Sequence, residues 1–435
     1  MESTHQLNGR IKKTAFIIVV ALGICFTNAS FAQLSKRALF LGNSYTAYNN
    51  LPQLTSDVAL SAGDTLVVES STPGGFTFEG HLGNTASMNL IDEGNWDFVV
   101  LQQQSQMPAF PLAQVEVETF PFATQLNDSI LAHSPCAETV FYMTWGRENG
   151  DQQNCANWPP VCTYEGMDDL LRERYMMMAE MNQGVVSPVA VVWRYLRENH
   201  PDIDLFSSDG SHPSPTGSYV AAICFYTTFF QKSPLEALFD YTVDNAQEAT
   251  IRQVVHDLVF LQSSDWFVGS WNPTADFTLS PVNSSEFTLT NTSQFADSFF
   301  YSIDGTNWVE LTESATSISI SETGDYEISL IAQRCELSDT TTQTLQVSPN
   351  SVHLLNELDF NLYPNPARDL LTIEIPDGYT CNEIVVLNAL GEIALHTIAP
   401  FSGVFTMDFR SLQTGMYTVQ AFTNRGVLAK QVNVH

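Results

Sequence analysis

One serine and one Asp/His pair are the residues of this sequence whose types and spacing could do chemistry together. Ser44 stands three residues after the apolar run 38–41, and Asp209 and His212 lie three positions apart far downstream. A serine hydroxyl becomes a useful nucleophile when an imidazole can take its proton and a carboxylate fixes the tautomer of that imidazole. The pattern therefore predicts a Ser/His/Asp hydrolase site, with Ser44 as nucleophile, His212 as base and Asp209 as the acid that orients it.

The stretch from residue 33 to about 270 must position these three residues, and it alternates strand and helix patterns. Strands are predicted at 38–41, 66–69, 98–101 and 140–143, with a weaker one at 203–206; helices are predicted at 51–62, 115–132, 167–181, 190–198 and 246–261. This alternation favours a parallel sheet with helices on both faces. Open sheets of this kind place their sites at the carboxyl ends of the strands, where Ser44 stands.

The motifs Gly42-Asn43-Ser44-Tyr45-Thr46, a glycine pair at 74–75, and Asp209-Gly-Ser-His212-Pro occur in this order. Over residues 36–230 the chain thereby resembles the SGNH/GDSL hydrolase superfamily. The resemblance implies an α/β fold, a flavodoxin-like three-layer α/β/α sandwich with a parallel sheet. It also implies an acyl-enzyme mechanism that requires no metal or cofactor.

The same resemblance implies the donors of an oxyanion hole. The backbone N–H of Ser44 is one donor, and Gly75 is the best match to the family's glycine. The third strand departs from the family pattern, because Leu101-Gln102-Gln103-Gln104-Ser105 stands where Gly-x-Asn-Asp is usual. A glutamine amide can donate the same hydrogen bond from a longer arm. Simple register favours Gln104, and Gln102 is the other choice.

Three further residues could bind substrate. His81 follows the glycine pair and could line the pocket, although a helix-start or surface role is an equal alternative. Trp145 and Arg147 follow the fourth predicted strand, where Trp145 could stack on a sugar ring and Arg147 could clamp a carboxylate. The alternative is a tryptophan packed in the core and an arginine paired with an acidic neighbour. No metal site is predicted, because the histidines and cysteines lack ligand spacing.

Residues 1–32 are predicted to be a secretory signal peptide. Basic residues precede an apolar run at 15–26, and small residues precede a cut before Gln33. No later segment reaches the roughly 18 apolar residues of a membrane span, so the mature chain is predicted to have no transmembrane segment. The formal net charge is −31. A surface this acidic repels phosphate backbones and excludes nucleic acid as a partner.

Export to an oxidising compartment predicts disulfide bonds. Cys155 and Cys162 flank a turn-rich segment and are predicted to form a local bridge, which would stabilise the fold by roughly 2–3 kcal/mol on the chain-entropy model. The pairing of the remaining mature cysteines is left open by their spacing: Cys136, Cys224, Cys335 and Cys381.

The composition and the residue pattern of the chain change after the first predicted domain, 33–270. Residues 275–347 are rich in Ser and Thr and show short alternating runs between turns, which predicts an immunoglobulin- or PKD-like β-sandwich. A linker is predicted at 348–357. Residues 358–435 carry Asn361-Leu-Tyr-Pro-Asn-Pro, Leu387-Asn-Ala-Leu-Gly-Glu and Thr414-Gly-Met-Tyr-Thr-Val, and resemble the C-terminal sorting domain of the type IX secretion system. The alternative is an ordinary β-sandwich adhesion module.

Together these features predict a secreted serine esterase with three domains. The sorting-domain resemblance implies type IX secretion machinery as a partner, a Bacteroidota-type Gram-negative source, and a secreted or surface-attached protein. The expected substrate is an ester, with O-acetyl groups on extracellular carbohydrate preferred. The alternative is an inactive SGNH-fold protein that binds carbohydrate or acts as an adhesin.

Overall fold

A computed structural model describes residues 35–282, 285–320, 322–348, 351–353, 360–376, 378–424 and 426–435. The predicted signal peptide, 1–32, lies outside these residues. Buried apolar side chains form three separate clusters, one in each of the predicted domains.

The first domain is built on a five-stranded sheet. Its strands are β1 (Ser35–Leu41), β2 (Thr65–Ser71), β3 (Phe98–Leu101), β4 (Glu138–Tyr142) and β5 (Val185–Ser187). They pair in the order β2-β1-β3-β4-β5, and every pair is parallel. This is the flavodoxin-like order of a doubly wound sheet, and it confirms the predicted fold class.

Helices connect these strands and follow the last one. They are α1 (Ser44–Ala47), α2 (Leu51–Ser61), α3 (Phe78–Leu82), α4 (Thr85–Asp92), α5 (Leu112–Glu118), α6 (Phe120–His133), α7 (Tyr164–Met181), α8 (Val189–Asn199), α9 (Pro215–Phe230) and α10 (Asn245–Val255). Strands β3 and β4 and the second half of β1 (38–41) are buried almost throughout, because the sheet lies beneath helices on both faces.

Several elements differ from the sequence prediction, among them the segment 203–206, helix α9 and the short helices α3 and α4. The segment 203–206 is not a strand of the sheet, since Phe206 makes only an isolated bridge to Pro213; the fifth strand is the three-residue β5 instead. Helix α9 was not predicted, although it packs against the centre of the sheet, where Phe225 meets Phe40 with ring centroids 5.3 Å apart. Nearly every residue of α9 is buried, so it shows no one-face periodicity for a sequence pattern to detect.

The middle domain is an antiparallel sandwich. Its strands are β6 (Phe277–Pro281), β7 (Glu286–Asn291), β8 (Ser298–Ser302), β9 (Val309–Glu310), β10 (Ala315–Ser319), β11 (Gly324–Arg334), β12 (Leu337–Ser348) and β13 (Ser351–His353). They form two sheets, β10-β7-β6 and β13-β12-β11-β8-β9. Because β13 pairs with β12, the predicted linker 348–357 overlaps this sheet at its start, while 349–350 and 354–357 lie outside the described residues.

The C-terminal domain is a second antiparallel sandwich. Its strands are β14 (Asn361–Tyr363), β15 (Leu370–Glu374), β16 (Cys381–Leu387), β17 (Ile393–Phe401), β18 (Val404–Asp408), β19 (Gly415–Thr423) and β20 (Gly426–Val434). Sheets β14-β15-β18 and β17-β16-β19-β20 enclose its core. Across the described ranges of the chain, no helix is long and apolar enough to cross a membrane.

Two disulfide bonds are present among the described cysteines. Cys155 and Cys162 are bridged, as predicted, and close the loop before α7. Cys136 pairs with Cys335 of the middle domain, across 199 residues of sequence. Because Cys136 precedes β4, this second bridge attaches the middle domain near the amino edge of the parallel sheet, opposite the carboxyl edge that carries Ser44. Cys224 and Cys381 are buried thiols.

Candidate active site

Ser44 is the first residue of α1, immediately after the short turn that ends β1. Asn43 caps this helix, and its side-chain oxygen accepts a hydrogen bond from the N–H of Tyr45 at 3.1 Å. Such a cap favours a sharp change from strand to helix. The N–H of Ser44 donates no hydrogen bond within the described part of the chain, so it is available at the half-buried serine.

Gln102 holds this turn from the end of β3. Its side chain is fully buried, and its oxygen accepts hydrogen bonds from the N–H of Asn43 and the hydroxyl of Thr46, both at 2.9 Å. Its amide group donates to the carbonyl of Gln103. A Cβ at Gly42 would collide with both Thr46 and Gln102, so only glycine fits between them. Gln102 therefore supports the nucleophile turn, and its side chain is fully buried, out of reach of a ligand.

His212 lies between Ser44 and Asp209. The Nε2 atom of His212 is 2.8 Å from the Oγ of Ser44, and its Nδ1 atom is 2.6 Å from an oxygen of Asp209. Because an ionised carboxylate only accepts, Nδ1 carries the proton and Nε2 accepts from the serine hydroxyl. The structure thus brings together the three residues to which the sequence assigned a joint chemistry.

Asp209 is kept ionised by its own loop. Partial burial acts to raise its pKa, but hydrogen bonds from the His212 side chain and from the N–H groups of His212 and Ser211 outweigh it. The pKa of Asp209 is therefore lower than its ordinary value. The loop turns at Gly210, whose φ of 64° lies in the left-handed region that favours glycine.

Aromatic rings surround His212. Tyr48 stacks on its face with centroids 4.3 Å apart, and Tyr45 meets its edge at 5.3 Å. The hydroxyl of Tyr45 also bonds Ser211 at 2.6 Å. The sequence assigned no role to either tyrosine, although Tyr45 is part of the motif around Ser44, since a single aromatic residue carries no pattern that distinguishes a site residue from a core residue.

Trp145 is part of this support and not a substrate platform. It is fully buried between Tyr45 and Trp193, with near-parallel rings on both sides. Its indole N–H donates to the carbonyl of Ser211 at 3.1 Å. The packing alternative therefore holds for Trp145, because no face of the ring is free to meet a sugar.

His81 is likewise buried, in contrast to the predicted pocket role. Its Nε2–H donates to the carbonyl of Gly42 at 3.0 Å, and its Nδ1 accepts from the hydroxyl of Ser87 at 2.8 Å. Both ring nitrogens are used inside the protein, so the imidazole stabilises the strand end that leads to Ser44. Desolvation by burial lowers the pKa of His81 to about 4, against an opposing hydrogen bond to Gly42.

We expect this buried imidazole to make the fold sensitive to acid. His81 is protonated near pH 6.5 in the unfolded chain but only near pH 4 in the folded chain, because its pKa is lower there. Its contribution to the free energy of unfolding is therefore complete above pH 6.5 and is lost as the pH falls from 6.5 to about 4. The loss is about 3 kcal/mol in the free energy of unfolding. Urea unfolding at several pH values should show it in the wild type and not in His81→Gln. The exposed His133, changed to Gln, is the matched control; equal slopes in all three proteins would contradict this account.

Gln104 differs from Gln102 in being only half-buried, so that its amide can reach a ligand. Its side-chain oxygen accepts hydrogen bonds from the N–H groups of Gln106 and Met107 at 2.8 and 3.2 Å. Because these groups are donors, they identify the oxygen and the nitrogen of the Gln104 amide. Its nitrogen donates to the Gln106 side chain at 3.2 Å, and its second hydrogen has no partner among the described residues. Gln104 is half-buried and lies just beyond β3.

Arg147 belongs to a network beside Gln106. Its guanidinium lies 3.3 Å from buried Asp151, which also accepts from Gln106 at 2.8 Å. This is the acid-paired alternative foreseen for Arg147. Asp151 in turn accepts at its carbonyl from the N–H of Cys155, so the disulfide loop braces the segment that holds Gln104.

Gly75 lies in an exposed turn joined to the nucleophile turn. Its φ is 72°, and a Cβ there would meet nothing within 4 Å. The next residue, Phe76, accepts a hydrogen bond at its carbonyl from the Asn43 side chain at 3.0 Å. The N–H of Gly75 donates to no group in the described ranges, so it is free for a ligand.

Residues 361–435 match the family model of a secretion system C-terminal sorting domain. The match confirms the predicted sorting domain and indicates export by type IX secretion machinery, with a secreted or cell-surface location in a Bacteroidota-type bacterium. No protein with a curated description matches the sequence.

Several solved structures are similar to about half of this chain. A DUF4886 family protein from Bacteroides uniformis is 15% identical, covers 53% of this chain and 96% of its own, and has a TM-score of 0.45. A candidate SGNH hydrolase from Slackia heliotrinireducens is 26% identical, covers 44% of this chain and 97% of its own, and has a TM-score of 0.37. A variant of an acetyl xylan esterase from Geobacillus stearothermophilus is 13% identical, covers 49% of this chain and 99% of its own, and has a TM-score of 0.32.

Proposed function

We propose that this chain is a secreted serine esterase whose catalytic domain is residues 33–270. The observation that carries the proposal is the continuous hydrogen-bonded line from Ser44 through His212 to Asp209, with distances of 2.8 and 2.6 Å. Each link has the donor and acceptor that acyl transfer requires. The line lies at the carboxyl edge of the parallel sheet, where doubly wound folds bind their ligands.

In the first half of the reaction, the Oγ of Ser44 attacks the ester carbonyl while Nε2 of His212 takes the hydroxyl proton. The tetrahedral intermediate then expels the alcohol, which receives that proton from His212, and an acyl-enzyme remains. In the second half, water attacks the acyl-enzyme in the same way and releases the acid and the free serine. Asp209 keeps the imidazole in the required tautomer throughout.

The negative oxygen of both intermediates needs donors that are free in the resting protein. The N–H groups of Ser44 and Gly75 and the amide of Gln104 fit this description, because each has an uncommitted hydrogen. Gln102, the other choice from the sequence, does not fit, since its side chain is fully buried beneath the nucleophile turn, whereas Gln104 is half-buried. We therefore assign the third donor to Gln104.

The variant Gln104→Glu tests that assignment. A glutamate can still accept from the N–H groups of Gln106 and Met107, but it has no amide to offer and brings a negative charge toward the developing oxyanion. We expect kcat to fall about 10²- to 10³-fold with little change in KM, the size typical for loss of one oxyanion donor. The exposed Gln125→Glu in α6 is the control for added charge. A kcat within twofold of the wild type would remove Gln104 from the site.

The proposed substrates are acyl esters of extracellular carbohydrate, and short O-acetyl groups are preferred. The secreted or surface location supports a substrate outside the cell. The net charge of −31 disfavours anionic polymers, so a neutral polysaccharide such as acetylated xylan is a better partner than pectin. No step calls for a cofactor.

An ester panel combined with a covalent label tests the proposal. Nitrophenyl acetate, acetylated xylan, acetylated pectin and longer acyl esters are assayed on the full secreted chain, and a fluorophosphonate is used to label its reactive serine. We expect turnover of the short esters and one label per chain, located on the peptide that contains Ser44. No label and no turnover on any ester would move the assignment to a carbohydrate-binding or adhesion protein on the same fold.

A further inference from the structure

The turn Tyr48–Asn50 contacts both partners of the proposed proton transfer. The N–H of Tyr48 donates to the carbonyl of Ser44, and its ring lies on the imidazole of His212 with an interplanar angle of 15°. The Tyr48 hydroxyl takes part in no step of the reaction described above. The residue therefore joins the nucleophile and the base without itself reacting.

Asn49 anchors the same turn to the loop of His212. Its amide nitrogen lies 3.3 Å from the carbonyl oxygen of Pro213, 3.1 Å from that of Ser214 and 2.9 Å from the hydroxyl of Ser218. These three acceptors surround the start of α9, directly after His212. The side chain of Asn49 thus holds the Ser44 side of the site against the His212 side.

The backbone of the turn is unusual and depends on such contacts. Asn49 and Asn50 have φ values of 52° and 51°, so two successive residues other than glycine occupy the left-handed region. This conformation is uncommon, and asparagine tolerates it better than most residues. Among the described residues, the Asn49 side chain hydrogen-bonds to other elements and the Asn50 side chain does not.

The His212 ring needs this support, because the second side-chain torsion of histidine is broad and no rotamer preference sets the plane of the ring. The bond to Asp209 fixes the position of Nδ1 but leaves the ring free to swing about that point. Tyr48 covers one face and Tyr45 meets the edge, so the swing is blocked. Tyr48 itself is 41% exposed, so this stack is a main part of its packing.

We propose that Tyr48 and Asn49 are positioning residues that hold the imidazole of His212 in line with the hydroxyl of Ser44. The inference rests on the proposed esterase function and deepens it. When His212 takes the proton, the positive charge forms against the face of the Tyr48 ring, an arrangement that favours the cation. The effect therefore falls on the chemical step and not on ground-state binding.

The test compares Tyr48→Leu with Tyr48→Phe. Leucine removes the aromatic face and keeps an apolar side chain, whereas phenylalanine keeps the face and removes only the hydroxyl. We expect kcat to fall about tenfold in Tyr48→Leu with KM nearly unchanged, and to stay near the wild-type value in Tyr48→Phe. Both values are counted per fluorophosphonate-labelled site, so a partly unfolded preparation does not lower them.

A second pair of variants tests the anchor. Asn49→Gly removes three hydrogen-bonding contacts and leaves the left-handed backbone unstrained, and Asn50→Gly makes the same change at the neighbouring residue without losing a side-chain hydrogen bond to any described residue. We expect Asn49→Gly to lower kcat as Tyr48→Leu does, and Asn50→Gly to match the wild type.

The outcomes separate this inference from the function on which it rests. If the wild type neither turns over esters nor takes the label, the esterase proposal fails. If the wild type is active and Tyr48→Leu keeps its kcat, or only its KM rises, Tyr48 is a binding or spacer residue and the inference is overturned. Equal loss in Tyr48→Leu and Tyr48→Phe would overturn it too, because the hydroxyl would then matter.

Discussion

Changing Ser44 to Ala should remove ester hydrolysis almost entirely. The variant keeps the turn, because Asn43 still caps α1 and Gln102 still bonds the backbone of that turn. What disappears is the proposed nucleophile, the hydroxyl that lies 2.8 Å from Nε2 of His212. We expect kcat to fall by about 10⁴- to 10⁶-fold, leaving the small rate that free oxyanion donors and substrate binding supply.

The measurement is initial-rate hydrolysis of a short acyl ester, with fluorophosphonate labelling run in parallel. Ser44→Ala should take no label, whereas the exposed Ser270→Ala, made the same way, should label and turn over like the wild type. Residual activity within tenfold of the wild type would mean that another residue is the nucleophile. The thermal midpoint of Ser44→Ala should remain close to the wild-type value, since the hydroxyl makes one half-buried hydrogen bond.

Replacing Asp209 with Asn should lower kcat by about 10⁴-fold while leaving the loop folded. The side-chain oxygen of asparagine can still accept from the N–H groups of Ser211 and His212. Its amide nitrogen, however, faces Nδ1 of His212 and donates where the carboxylate accepted. The imidazole then carries its proton on Nε2, pointing at Ser44, and it cannot take the serine proton.

Two comparisons make this result specific. Asp204→Asn, an exposed carboxylate of the preceding segment, should behave like the wild type in rate and in stability. The rate of Asp209→Asn should rise with pH where hydroxide itself can deprotonate the serine, while the wild type shows a plateau. A kcat within tenfold of the wild type would show that His212 does not need Asp209 to set its tautomer.

The sheet was predictable because its central strands are buried on both faces and therefore appear as short apolar runs. Helices with one apolar face, such as α7 and α10, were predictable because their apolar residues recur with the period of a helix. Helix α9 and strand β5 were not, because the first is apolar on every side and the second has only three residues. A helix that is buried on all sides and a strand of three residues both lack the alternation of apolar and polar residues on which such predictions depend.

The residues around the site divide in a similar way. His81, Trp145 and Arg147 are residue types that bind substrates in many proteins, and their positions near strand ends made that role reasonable. Their actual contacts depend on depth: His81 and Trp145 lie wholly inside, and Arg147 faces an acid four residues away. Depth below the surface depends on the packing of several elements, and a single sequence does not contain it.

By itself the sequence determined which atoms could react and roughly where they would lie. A serine just after the first strand is expected at the carboxyl edge of a parallel sheet, where a downstream Asp/His pair could join it, and the C-terminal motifs mark the chain for export. The tertiary structure decided which glutamine side chain stays accessible, and it placed Tyr48 and Asn49 between the two halves of the site. Those features depend on contacts between segments separated by about 60 to 170 residues, and such contacts form only when the whole domain has packed.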